Sequence, residues 1–63
     1  MRNLQIDNNN YKVDFVANRS YTTTVMIYLK NDSWVEISKH DFKDRKTLKI
    51  SSEQILSVSN AKA

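Results

Sequence analysis

YTTTVMIYLKNDSWVEIS, residues 21–38, is the densest run of β-branched and aromatic side chains in the chain. Side chains alternate between the two faces of a strand, so the residues before Asn31 sort into two sets. Tyr21, Thr23, Val25, Ile27 and Leu29 form the more apolar set; Thr22, Thr24, Met26, Tyr28 and Lys30 form the other. The first set is expected to face a core. Residues 34–38 read as a second strand, and the loop between decides which way it faces. A two-residue loop at Asn31-Asp32 would set Glu36 opposite Ile27 and bring a carboxylate among apolar side chains. A three-residue loop at Asn31-Asp32-Ser33 instead pairs Leu29 with Val35 and Ile27 with Ile37. A one-residue slip turns every side chain over, so burial selects the longer loop. Asn and Asp tolerate the left-handed backbone that such a loop requires.

The same reasoning extends upstream. Tyr11, Val13, Phe15 and Ala17 alternate with Lys12, Asp14, Val16 and Asn18. A three-residue loop at Asn18-Arg19-Ser20 would pair Phe15 with Thr23, Val13 with Val25 and Tyr11 with Ile27. The predicted inner side then gathers Tyr11, Val13, Phe15, Val25, Ile27, Leu29, Val35 and Ile37. Three strands in a meander are about the minimum that stands alone in water.

With 63 residues, the chain is expected to be a single small β domain over 1–63. A chain of this length buries only about 60% of its unfolded surface, so disulfides, metals or self-association usually assist. No Cys is present, which excludes disulfides and thiolate metal sites, and a lone His40 does not make a zinc site. No Gly is present either, which excludes the phosphate-cradling loops of nucleotide-binding proteins. The longest apolar run, residues 25–29, is too short to cross a bilayer, and no signal-peptide pattern starts the chain. A soluble, cytoplasmic protein with no membrane partner is the expectation.

Residues 1–9 and 60–63 are expected to be loose, although Leu4 and Ile6 alternate as in a short edge strand. Residues 38–46 read as a polar loop pinned by Phe42. TLKI, residues 47–50, alternates as a strand with Leu48 and Ile50 inward. Ser51 and Gln54 have capping-box spacing and admit a helix start, but a turn at 51–54 followed by a strand at 55–59 suits the Ser- and Val-rich residues better. The predicted fold class is all-β or mostly β: a small antiparallel meander of about five short strands, as a bent sheet or a small barrel. The order VMIYLKNDSWVEIS, polar loop, TLKI, short turn, ILSVS resembles that of SH3-like and Sm-like small barrels, over about two-thirds of the chain. That resemblance is one of topology. It implies binding to RNA or protein through rings or sheet edges, and it carries no site residues over to this chain.

Charge is uneven. Lys39, Lys43, Arg45, Lys46 and Lys49 stand against Asp41 and Asp44, so the whole net charge of +3 lies in residues 38–49. Such a basic patch is the footprint of a nucleic-acid or acidic-protein binder, and equally the look of an ordinary solvated loop. On the outward face of the hairpin, Met26, Tyr28 and Trp34 are expected beside Lys30 and Glu36, with Trp34 opposite Lys30 and Tyr28 opposite Glu36. Aromatics on a wet face suit partner docking or base stacking; alternatively the sheet curls and buries both faces. No nucleophile motif is present, His40 and Asp41 are mere sequence neighbours, and Asp41 and Asp44 lie among lysines, so no enzyme and no cofactor are expected. The leading expectation is a non-catalytic module binding another protein or itself, of the inhibitor or adaptor kind carried by phages and mobile elements. The partner-binding residues are then Met26, Tyr28, Lys30 and Trp34. The alternative is a nucleic-acid binder using the basic segment and the Tyr28/Trp34 face.

Overall fold

In the computed structural model, which describes residues 1–59, the central stretch forms a hairpin of β3 (Thr24–Leu29) and β4 (Trp34–Ser38). Val25, Ile27, Leu29, Val35 and Ile37 are all buried on one face, as their alternation requires. The loop is Lys30-Asn31-Asp32, one position earlier than expected, because the Leu29 N–H donates to the Ser33 carbonyl at 2.8 Å. Sliding the loop by one position moves the pairing by two. The faces are therefore kept while the partners change: Ile27 pairs with Val35, Val25 with Ile37 and Tyr28 with Trp34. The cause is local. Asp32 adopts φ 68°, and the Asn31 side-chain carbonyl accepts the Ser33 N–H at 3.1 Å, which closes the turn without Gly.

The upstream hairpin differs from the three-residue turn read from sequence. β2 (Asn9–Ala17) runs into a longer loop, residues 18–23, before β3 begins. Phe15 pairs with Tyr28, Val16 with Ile27 and Ala17 with Met26; Val13 then pairs with Leu29, leaving Asp14 as the extra residue of a bulge. Phe15 accordingly points outward and is 54% exposed, whereas its alternation with Val13 predicted burial. Two features decide this. The Thr22 hydroxyl sits between the carbonyls of Arg19 (3.0 Å) and Thr24 (2.9 Å), and the Lys39 ammonium donates to the Arg19 carbonyl, so the longer loop satisfies its own backbone. The bulge lets Val13 and Val16 both turn inward, and it bends and twists β2 where Gly would otherwise be wanted.

Residues 9–12 of β2 pair with β1 (Asn3–Ile6) across a tight turn in which Asp7 has φ 54°. β1 is not a loose end. It lies between β2 and β5 (Thr47–Ile50), and Leu4 is fully buried. The β1–β5 pairing is parallel and in register from Asn3–Thr47 to Ile6–Ile50. It is closed at either end by Asn3 N–H to the Lys46 carbonyl (3.1 Å) and Asp7 N–H to the Ile50 carbonyl (3.0 Å). Downstream, a short 3₁₀ turn (Ser52–Gln54) leads into β6 (Ile55–Ser59), as read from sequence, with the Ser51 N–H donating to Gln54 Oε1 at 2.8 Å. β6 adds to the outer edge of β4.

The strand order is β5-β1-β2-β3-β4-β6, so among the described residues the sheet has six strands and is mixed, not a five-strand antiparallel meander. It is bent rather than closed into a barrel, and β5 and β6 are its edges. With no α-helix among the described residues to cover it, the sheet covers itself by folding about β2. Leu4, Val13, Leu48 and Ile50 from one half join Val25, Ile27, Leu29, Val35 and Ile37 from the other in one buried cluster, with Phe42 of the polar loop packed against it. The radius of gyration is 10.7 Å, close to the roughly 10.6 Å of a compact chain this long. Residues 60–63, expected to be loose, lie outside the described residues.

Candidate binding surface

The outer face of β2, β3 and β4 carries Phe15, Tyr28 and Trp34 in cross-strand register, Phe15 beside Tyr28 and Tyr28 beside Trp34. With strands about 4.8 Å apart, the row spans about 10 Å. Phe15 and Tyr28 are stacked, while Tyr28, Trp34 and Met26 are each half-buried. The expected partners of Tyr28 and Trp34 are corrected here: Met26, not Tyr28, faces Glu36. Glu36 Oε2 accepts the Thr24 hydroxyl at 2.7 Å, which ties the carboxylate toward the far end of the strand. Beyond Met26, the loop 18–23 brings Arg19 near Tyr28; its guanidinium donates to Tyr21 Oη at 3.1 Å, which pushes its pKa further above the ordinary arginine value.

The basic segment does not form one patch. Lys39 is half-buried and bonded to the 18–23 loop. Lys43, Arg45 and Lys49 are exposed around a shallow groove along the β5 edge. Lys46 faces a different groove, where it meets Arg2, Lys12 and Lys30. Lys30 is a loop residue, exposed, with its N–H donating to the Lys12 carbonyl at 3.0 Å.

Sequence reasoning thus missed Phe15, Arg2 and Lys12. A signal existed for Phe15: in YKVDFV the two valines stand three apart, a spacing that only a bulge places on one face. Arg2 and Lys12 carried none, because the contacts that bring them to Lys30 and Lys46 are long-range. For chemistry, the surface offers aromatic faces and cations. His40 is exposed on a turn, its N–H donating to Ser38 Oγ at 3.1 Å. Among the described residues, no cluster of three His, Cys, Asp or Glu could hold a metal ion, and no helix is long and apolar enough to cross a membrane. No protein-family model matches the chain, and neither a curated protein nor a solved structure significantly similar to it was found.

Proposed function

We propose that the protein is a non-catalytic binding module that works by protein–protein contact, joining a second copy of itself through β6. One observation carries this reading: one of the two edges of the sheet among the described residues is an uncharged strand, ILSVS, on which Leu56 and Val58 are 57% and 63% exposed. Edge strands are ordinarily guarded by lysine or other charges. The opposite edge is, with Lys49 inside β5 and Lys46 just before it.

Beside β6 the unclosed sheet leaves a cleft between Tyr11 and Ile6 on one side and Leu29, Val35 and Val58 on the other. An apolar side chain from a second copy fits such a cleft. Leu56 is the extra residue of a bulge between the Glu36–Ser57 and Ile37–Ile55 pairs, so the contact rests on side chains more than on a long new ladder. Burying a Leu or Val contributes about 1.5–3 kcal/mol, and a chain this short gains stability from any partner that binds only its folded form.

The test is mass by light scattering from micromolar to submillimolar concentration. The mass should rise toward that of a dimer, and Leu56→Lys or Val58→Lys should hold it at the monomer with an unchanged circular dichroism spectrum. A monomer mass across the whole range overturns the reading.

A further inference from the structure

A second surface, which meets β6 only at the Trp34–Ser59 pair, has its own chemistry. Three backbone contacts gather four cations from distant parts of the chain: Arg2 N–H donates to the Lys46 carbonyl (3.0 Å), Val13 N–H to the Arg2 carbonyl (2.9 Å) and Lys30 N–H to the Lys12 carbonyl (3.0 Å). Arg2, Lys12, Lys30 and Lys46 line a groove of about 460 Å³ in which no Asp or Glu takes part. The groove adjoins the aromatic row. Lys30 lies two residues beyond Tyr28, about 7 Å along the chain, and Lys12 lies just before the bulge that turns Phe15 outward. Two acids stand near the four side-chain cations: the exposed Asp14, between Lys12 and Phe15, and the exposed Asp44, whose Oδ1 lies 3.9 Å from the ammonium of Met1 at the groove wall.

We infer that this face binds single-stranded nucleic acid, with bases on the Phe15–Tyr28–Trp34 row and phosphates among Arg2, Lys12, Lys30 and Lys46. Flat rings beside a cationic groove are what an unpaired strand requires: every base has a π-face to stack, and every linkage carries a negative charge. A duplex offers only its phosphates here, because its base faces are already stacked. A protein partner is disfavoured by the lysines, which are depleted from the cores of protein interfaces.

Trp34 is the only tryptophan, so its fluorescence reports on the site directly. Titration with oligothymidylate and oligouridylate should quench it. Four neutralised phosphates give a slope of log affinity against log salt of about −2.8, at roughly −0.7 each. Replacing Lys12 and Lys30 together by Gln should flatten that slope by about 1.4. Phe15→Ala should weaken binding about tenfold and leave the slope alone, within the range seen for removing one stacked ring. Asp14→Asn should tighten binding. All four positions are exposed, so folding is checked simply by circular dichroism.

Three results each overturn the inference: no quenching at low salt, a duplex binding as tightly as the single strands, or Lys43→Gln with Lys49→Gln weakening binding as much as the Lys12/Lys30 pair. Running the titration on Leu56→Lys as well keeps the outcome independent of self-association.

Discussion

Phe15 and Tyr28 stack across β2 and β3 with ring centroids 4.4 Å apart and planes 14° from parallel, on the solvent side of the sheet. Aromatic pairs of this geometry contribute about 0.5–1.5 kcal/mol beyond the area they bury. Phe15→Leu should therefore lower stability by about 1 kcal/mol, measured by urea unfolding. A double-mutant cycle with Tyr28→Leu should return a coupling energy in the same range. A coupling indistinguishable from zero would show that the rings are adjacent without interacting.

Leu4, near the start of the chain, is as fully buried as Ile27 in the central hairpin. Leu4→Ala should cost about 2–5 kcal/mol, the range for emptying a packed core site, and match Ile27→Ala in chemical denaturation. Ile6→Ala should cost less, because Ile6 is only half-buried. A Leu4→Ala loss below about 1 kcal/mol would remove β1 from the core.

Asp32 holds φ 68° at the tip of the β3–β4 hairpin. The left-handed region costs an L-residue roughly 1–2 kcal/mol, least for Asn and Asp and most for β-branched side chains. Asp32→Gly should be neutral or stabilise the fold slightly, while Asp32→Val should destabilise it by about 1–2 kcal/mol. Thermal unfolding of the pair checks this, and the reverse order would contradict the assigned turn.

Thr24 and Glu36 join β3 to β4 through a 2.7 Å hydroxyl-to-carboxylate hydrogen bond in a half-buried setting. Hydrogen bonds to charged groups contribute about 1.5–3 kcal/mol, less where solvent reaches them. Thr24→Val should therefore cost about 1 kcal/mol, and adding Glu36→Gln should cost little more, since the two residues share one interaction. Additive losses in guanidinium unfolding would show that they act separately.

Legibility from sequence followed the range of the contacts involved. The inner face of β3 and β4 was readable because burial permits only one parity for five apolar residues, whichever way the loop is placed. The position of that loop was not, because a one-step slide of Lys30-Asn31-Asp32-Ser33 leaves the parity unchanged while altering every cross-strand partner. This is why Tyr28 faces Trp34 rather than Glu36. The candidate surface was half visible for the same reason. Tyr28, Trp34 and Met26 follow from alternation, whereas Phe15 depends on a bulge and Lys12 and Arg2 on neighbours far along the chain.

Alternation of apolar residues, the polar break at residues 38–46 and the Ser51/Gln54 turn chemistry are local, and they alone determined a mostly β chain, favouring over a helix the last strand that the structure begins at Ile55. The tertiary structure decided how the strands are ordered. β1 pairs in parallel with β5, more than forty residues away, and β2 bends at Asp14 to serve both halves of the sheet. Neither choice is encoded by neighbouring residues. Each is settled by which arrangement lets a six-stranded sheet fold over its own apolar face, since no α-helix is present among the described residues to do so.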